Sequence, residues 1–220
     1  MKTSIFGYTE SQLPIKAYQF GNQGPHLLIM GGVHGNEPEG VAAAEGLLGQ
    51  LLQKGAPSNL QITIVPCLNL DGLLLKKRQN KNGVDLNRNL PTKDWSPHAS
   101  QEKYYPGREP LSESENKALV RFIEAEKPVF ILSLHSFSDF MLLDNKGLCT
   151  EECQLLASLT GYKIKNEIGY PTPGSLGTYG AFERDLPTLT YELERDMNFS
   201  DIQTIHVPAL YKLIEFKSKQ

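Results

Sequence analysis

Cysteine is scarce in this 220-residue chain, and the three that occur, Cys67, Cys149 and Cys153, are an odd number. Disulfide-stabilised domains carry a denser and even set, so no disulfide framework is expected. Cys149 and Cys153 stand close together, but no further Cys or His pair accompanies them. This favours reduced thiols over a cysteine metal site.

Two further absences exclude other classes of protein. No stretch reaches the roughly 18 apolar residues of a membrane span, and the N-terminal residues lack the apolar run of a signal peptide. We therefore expect a cytoplasmic protein that does not enter a membrane. The formal charge of −3, with no concentrated basic face, argues against nucleic acid as a partner. No pattern fixes the oligomeric state, and a homodimer stays open.

What is present is the composition of an ordinary globular protein, with 40% hydrophobic and 21% charged residues and no repeat or linker. We expect one domain over residues 1–220. Apolar runs that alternate with helical patterns predict an α/β fold with a mostly buried central sheet. The predicted strands cover 16–20, 26–32, 61–69, 129–137, 162–168 and 188–194, and the predicted helices cover 38–54, 112–126, 150–161 and 200–217.

Two segments do not fit this alternation of strands and helices. Residues 71–108 are rich in Asn, Lys, Gly and Pro, and residues 169–180 are another run of turn formers. Long structured loops beside strand ends are where α/β enzymes carry their chemistry. At the start of the second predicted helix, Ser112 with Glu115 three residues later predicts a capping box.

The first chemical signal is GGVHGNEPEG, which follows the apolar run HLLIM. His34 and Glu37 are three residues apart, a spacing at which two side chains that enter a helix can converge on one point. Imidazole and carboxylate are both good zinc ligands. The alternative is an acidic residue that the dipole favours at a helix N-terminus.

The second signal is His135, at the end of the apolar run VFILSLHSF. A histidine there can be a hydrogen-bonded core residue, but Ser136 follows directly, which favours an imidazole that emerges at the sheet edge. Two imidazoles and a carboxylate make the three-ligand set of a catalytic zinc. The other histidines, His26, His98 and His206, are expected at the surface or in structural roles.

The third signal is Glu192 in the β-like run TLTYELE. A carboxylate in an apolar strand is either paired or lines a cavity where it can act as a base. Glu194 lies two residues on and shares its face of a strand, so the pattern does not separate the two. A structural salt bridge is the alternative for either.

The fourth signal is NGVDLNRNLP, which carries Asn87 and Arg88. A guanidinium beside an activated water is suited to the oxyanion of a tetrahedral intermediate, and an amide adds hydrogen-bond donors and acceptors. The alternative is a loop in which Asp85 and the asparagines cap their own backbone.

Taken in this order, the four segments resemble the zinc carboxypeptidase family, whose hallmarks are His-x-x-Glu, Asn-Arg, a distant His on a strand and a Glu near the C-terminus. The resemblance runs from His34 to Glu192. It implies an α/β fold with a mixed eight-stranded sheet flanked by helices, and one zinc ion per chain. The zinc ligands that it implies are His34, Glu37 and His135.

The same resemblance assigns the remaining roles. Glu192, in its Tyr-Glu-Leu context, becomes the general base and acid, which decides against Glu194. Arg88 becomes the stabiliser of the oxyanion, with Asn87 beside it as a substrate-binding residue. Tyr170 falls where the family has a mobile tyrosine that covers the substrate.

Three runs resemble one branch of that family: NKNGVDLNRNLP followed by Trp95, YYPGREPLSESE, and GYPTPGSLGTYG. Its members cut the bond between γ-D-glutamate and meso-diaminopimelate in recycled cell-wall tripeptide, inside the cytoplasm, so a small peptide is the implied substrate. Asn36 stands where digestive members have Arg, and no counterpart of their carboxylate-binding Asn-Arg pair is evident after Pro91. Arg78 and Arg108 are therefore candidates for binding a substrate carboxylate.

An N-acyl amino acid deacylase of the succinylglutamate desuccinylase and aspartoacylase group is the alternative, because it shares Gly-x-His-Gly-x-Glu and Asp-Leu-Asn-Arg. The Leu-His-Ser strand and the loop around Tyr170 favour the peptidase. A metal-free binding module is the third hypothesis, and the presence of every ligand and catalytic residue speaks against it. Asp139 and Ser133 are candidates for orienting the histidines.

Overall fold

In the computed structural model, which describes residues 1–220, the chain builds a mixed sheet of eight strands. The strands are β1 (Lys2–Tyr8), β2 (Pro14–Phe20), β3 (His26–Gly31), β4 (Gln61–Val65), β5 (Phe130–Phe137), β6 (Met141–Asp144), β7 (Lys163–Lys165) and β8 (Thr188–Glu194). Their order across the sheet is β1-β2-β4-β3-β5-β8-β6-β7. The centre from β4 through β3 and β5 to β8 is parallel, and antiparallel pairs flank it. The predicted fold class is confirmed.

The helices cover both faces of this sheet. They are α1 (Pro38–Lys54), α2 (Leu70–Leu75), α3 (Ser114–Glu126), α4 (Thr150–Thr160), α5 (Phe199–Asp201) and α6 (Val207–Lys217). Helices α1, α4 and α6 bury their apolar sides on one face, and α3 with several loop residues covers the other. Strand β3 is buried along its whole length, as expected for a parallel strand with both faces covered. No helix combines the length and the apolar character that a membrane crossing requires.

The observed elements differ from the predicted ones mainly at the edges of the sheet. β1 was not predicted because it is an exposed edge strand without apolar alternation, and β6 is only four residues long. The predicted capping box is wrong: α3 begins at Ser114, its cap residue is Glu113, and the Ser112 hydroxyl donates to the Glu113 carboxylate. All three cysteines are free thiols.

The sheet brings the predicted chemical residues to one edge. β3, β5 and β8 are parallel neighbours, so their carboxyl ends lie together, which is where open α/β sheets bind ligands. His135 lies directly opposite Glu192 in the register of β5 and β8. β3 ends at Gly31 and leads through a short turn into α1. The two segments predicted to bind a metal are therefore adjacent because their strands are adjacent.

Helix α1 lies unusually close to β5. A Cβ atom added to Gly40 would stand 2.4 Å from the carbonyl oxygen of Leu134, the residue before His135. Only glycine permits this approach of helix backbone to strand backbone. Gly49, in the same helix, has open space around it.

We expect Gly40→Ala to destabilise the protein by about 1–3 kcal/mol through overpacking, and to weaken metal binding because it displaces α1 from the strand that carries His135. Gly49→Ala is the matched control and should stabilise the helix by up to about 1 kcal/mol. Urea unfolding and a zinc titration measure both effects. Equal stability of the two variants would contradict the close contact.

Candidate active site

The turn between β3 and α1 delivers two of the three predicted metal ligands. Gly32 adopts a positive φ of 60°, and a Cβ there would meet Cys67 and Val41 at 2.9 Å, so the turn requires glycine. His34 follows the turn. Glu37 is the last residue before α1, whose first helical position is Pro38, as predicted.

The third ligand comes from β5, and the three side chains converge. The Nδ1 atom of His34 lies 2.9 Å from Oε1 of Glu37 and 3.1 Å from Nδ1 of His135. The Nδ1 atom of His135 lies 3.0 Å from Oε2 of Glu37. All three residues are only 3% exposed. Two ring nitrogens and a carboxylate thus face one point.

The outward-facing ring nitrogens of both histidines are held by hydrogen bonds. Nε2 of His34 lies 3.1 Å from Oδ1 of Asp85, and Nε2 of His135 lies 2.9 Å from the Ser133 hydroxyl. Such partners fix the ring orientation of metal-ligating histidines. Ser133 was expected in this role. The expectation for Asp139 is wrong, because it forms an ion pair with Lys165.

The donor set fits a catalytic zinc ion. Two imidazoles and one carboxylate, with a fourth position left to water, are a typical ligand set for such an ion. The Nδ1 atoms of His34 and His135 face each other and the Glu37 carboxylate. This group of His and Glu ligand atoms lies within 4.8 Å. The three residues could therefore hold a divalent metal.

The charge of Glu37 is balanced from several directions. Burial alone would raise its pKa, but the charges and hydrogen bonds of His34 and His135 outweigh burial and hold the pKa of Glu37 well below its ordinary value. Two guanidinium groups add to this: Nη1 of Arg78 lies 3.3 Å from Oε1 of Glu37, and Nη2 of Arg195 lies 3.2 Å from the same oxygen. Glu37 is therefore ionised and ready to bind a cation.

Arg195 was missed at the sequence level. Besides Glu37, its guanidinium donates to the backbone carbonyl oxygens of Asn36 and Ser136. It joins the end of β8 to the turn before α1 and to the end of β5. No local motif marks it, because its partners lie 59 and 159 residues away in the chain.

Glu192 lines the same cavity as the ligand group. Burial raises its pKa to about 7, against the lowering charge of His135, and a bound cation would lower the pKa from that value. Its carboxylate accepts no hydrogen bond within the chain, so it is free to face a bound molecule. Glu194 is exposed and lies outside the cavity. Burial therefore distinguishes Glu192 from Glu194, which strand periodicity could not do.

Three other predicted residues line this cavity: Asn87, Arg88 and Tyr170. The Asn87 side-chain oxygen accepts from the Leu176 amide at 2.8 Å, so its NH₂ group remains for a ligand. Burial raises the pKa of Tyr170 to about 12, with the neighbouring Tyr104 acting in the same direction.

The two arginine candidates for a substrate carboxylate lie in different places. Arg78 lines the active-site cavity and its Nε donates to Oδ2 of Asp85 at 2.8 Å. Burial opposes ionisation of Asp85, but the charge of Arg78 prevails and lowers its pKa. Arg108 is not brought to this site and lines a separate cavity with Glu113 and Lys117.

Comparison with protein families matches residues 1–182 to the zinc carboxypeptidase family. Among curated proteins, murein peptide amidase A of Escherichia coli K12 is 33% identical over 165 residues, which cover 70% of this chain. The Vibrio campbellii protein of that name is 31% identical over 178 residues, 76% of this chain and 68% of the relative. The match spans 65% of the length of the E. coli relative.

Solved structures agree on the fold. The murein-tripeptide amidase of E. coli O157 superposes with a TM-score of 0.81 at 25% identity, over 96% of this chain and 91% of that chain. A succinylglutamate desuccinylase from Silicibacter superposes with a TM-score of 0.69 at 19% identity, over 93% of this chain and 60% of that one. The second likeness concerns the fold alone, so it does not favour the deacylase alternative.

We expect Asp85→Asn to lower zinc affinity by about 10- to 100-fold, because His34 loses the carboxylate that orients its ring. Asp139→Asn is the matched control, an acidic side chain on the surface that should leave the affinity unchanged. Competition with a chromophoric chelator measures both. An unchanged affinity in Asp85→Asn would show that the ring is held by other contacts.

Proposed function

This chain belongs to the zinc carboxypeptidase family, and on that premise we propose that it hydrolyses the γ-D-glutamyl–meso-diaminopimelate bond of murein tripeptide. The observation that carries the proposal is an unpartnered, buried Glu192 opposite His135, beside a His-Glu-His group. Relatives called murein peptide amidase A support this choice of substrate. Because that tripeptide is recovered inside the cell, the proposal includes a cytoplasmic location.

One zinc ion per chain would be held by Nδ1 of His34, Nδ1 of His135 and the carboxylate of Glu37. When bound, zinc supplies Lewis-acid chemistry, which lowers the pKa of water and polarises a carbonyl group. Asp85 and Ser133 hold the two rings for this purpose. The ion pairs of Glu37 with Arg78 and Arg195 keep the third ligand ionised.

Glu192 serves as general base and then as general acid. It accepts a proton from the attacking water and donates a proton to the leaving nitrogen of diaminopimelate. Because its carboxylate forms no hydrogen bond within the chain, Glu192 can exchange a proton with the water and with the leaving nitrogen. Its buried position at the strand end fixes its direction, as proton transfer requires.

The geometry favours Arg78 over Arg88 for the oxyanion. The guanidinium of Arg78 contacts the ligand Glu37 directly, so it lies beside the carbonyl that would react. Arg88 contacts no ligand; it donates to the carbonyl oxygen of Asn87 and lies 5.1 Å from the ring centre of Tyr104. We therefore propose that Arg88 and the free amide of Asn87 bind the substrate carboxylate. Tyr170 is proposed to cover the bound peptide.

We expect Glu192→Gln to keep its zinc and its fold and to lose about 10²- to 10⁴-fold in kcat, the usual contribution of a general acid–base. Glu194→Gln is the matched control on the same strand and should retain full activity. The assay measures free diaminopimelate released from L-Ala-γ-D-Glu-meso-diaminopimelate. Hydrolysis of N-acyl amino acids with none of the tripeptide would decide for the deacylase.

Substitutions of Arg78 and Arg88 should affect different kinetic constants. Arg78→Ala should lower kcat by about 10²- to 10³-fold, as loss of an oxyanion donor does, whereas Arg88→Ala should mainly raise KM. Arg88→Ala should also lose the preference for a free carboxylate over the corresponding C-terminal amide. The reverse pattern would return the oxyanion role to Arg88.

A further inference from the structure

Three glutamates from separate parts of the chain meet at the start of α3, outside the active-site cavity. Glu10 lies in the turn between β1 and β2, Glu113 is the cap residue of α3, and Glu115 lies in the first turn of α3. One carboxylate oxygen of each lies within 4.8 Å of the other two. This group is here called the acidic cluster. Ligands of one calcium ion are at most about 5 Å apart, so the spacing fits a shared cation.

No ion pair compensates the acidic cluster. Arg108 lines the cavity beside it without forming a salt bridge to it, and the ammonium group of Lys117 donates to the backbone oxygen of Ser112. Glu113 is 3% exposed and Glu115 is fully buried. Buried carboxylates without a counter-charge are unfavourable. The N-terminus of α3 contributes only about half a positive charge, which is less than the cluster requires.

The hydrogen bonds of the acidic cluster leave one buried oxygen without a partner. Oε2 of Glu113 accepts from the amides of Asn80 at 2.7 Å and Asn82 at 2.9 Å. Oε2 of Glu115 accepts from the same Asn80 amide at 3.3 Å. The other oxygen of Glu115, Oε1, is buried and has no hydrogen-bond partner. Such an acceptor is unfavourable, and a cation beside it would satisfy it.

The chemistry of the acidic cluster selects the kind of cation. All three ligands are carboxylates, which suit hard ions such as Ca²⁺ and Mg²⁺. Glu10 is half-buried, and together with Glu113 it lines the cavity that opens beside the cluster. An ion can therefore enter from this side and keep the water ligands that both metals require. Burial, together with the charges of Glu10 and Glu113, raises the pKa of Glu115 to about 7, as expected for a carboxylate that lacks a counter-charge.

We propose that the acidic cluster binds a hard divalent cation, with Glu10, Glu113 and Glu115 as its protein ligands and water as the others. This ion is separate from the zinc of the active site. The inference goes beyond the proposed function and does not rest on it, because neither the ligands nor the test involve a substrate.

A single side chain, Asn80, joins the acidic cluster to the active-site loop. Its amide contacts two of the cluster carboxylates, and its oxygen accepts from the backbone amides of Asn82 and Val84, each at 3.1 Å. Asn80 lies between Arg78 and Asp85 in the chain, the residues that contact Glu37 and His34. A cation in the cluster therefore stabilises the segment that carries both.

The test titrates the zinc-loaded protein, in buffer free of other divalent ions, with Ca²⁺ and separately with Mg²⁺ in a calorimeter. One ion should bind per chain in addition to zinc, and the ion with the higher affinity is the preferred ligand. The melting temperature should rise by about 5–10 °C at a concentration one hundredfold above Kd. No binding of either ion up to about 10 mM, above the usual range for calcium sites, overturns the inference.

Variants locate the bound ion. Glu115→Gln keeps the shape of the side chain and should lower the affinity at least about tenfold, because ligand charge sets the strength of such sites. Glu10→Gln, at the half-buried ligand, should do the same and serves if the buried variant fails to fold. Glu124→Gln is the matched control, an exposed residue on the same helix, and should bind as the wild type does.

Hydrogen exchange tests the connection with the loop. The ion that binds best should slow exchange of the Asn82 and Val84 amides in the wild type and leave them unchanged in Glu115→Gln. A cation response that survives in both Glu115→Gln and Glu10→Gln places the ion elsewhere and overturns the inference. Since none of these measurements uses a peptide, failure of the proposed function and failure of the cation site are distinguishable.

Discussion

The burial of the Glu37 carboxylate is the constraint around which the rest of the site is arranged. An isolated ionised carboxylate inside a protein is very unfavourable unless charges and hydrogen bonds compensate it. Four side chains do so, and they come from four parts of the chain: His34, Arg78, His135 and Arg195. The compensation requires β3, β5 and β8 to be assembled with the loop after α2. The ligand group therefore forms only where the sheet and this loop are assembled.

The loop that follows α2, residues 76–108, is long, yet its polar contacts hold Arg78 and Asp85 in place. Asn89 donates to the backbone oxygens of Pro106 and Glu109, and Asn116 of α3 donates to the oxygen of Leu86. These bonds satisfy backbone groups of a buried loop. The asparagines that made this segment resemble a turn-rich loop are the residues that fix its course.

Positive charge lines the active-site cavity, and this charge connects the structure with the proposed function. The arginines that balance Glu37 and Asp85 also make the active-site cavity cationic, so a peptide with several carboxylates is attracted there. This charge suits the proposed murein tripeptide, which carries several carboxylates.

The sequence by itself determined what depends on local spacing. Apolar strands that alternate with helices predicted the sheet, Pro38 marked the start of α1, and His-x-x-Glu placed two candidate ligands on one turn. Ser133 could be expected beside His135, because residues two apart share a face of a strand. The same periodicity could not choose between Glu192 and Glu194, since it places both on one face.

Only the tertiary structure decided which loop residues reach the site. His34 contacts Asp85, which lies 51 residues away in the sequence. Glu37 contacts Arg78 at a separation of 41 residues and Arg195 at a separation of 158 residues. Such contacts depend on the path of each loop. Hydrogen bonds to residues distant in the sequence fix that path, so no local sequence pattern predicts it. For this reason, Arg108 was a candidate in the sequence but lies in another cavity, while Arg195 carried no signal and lies beside the ligand group.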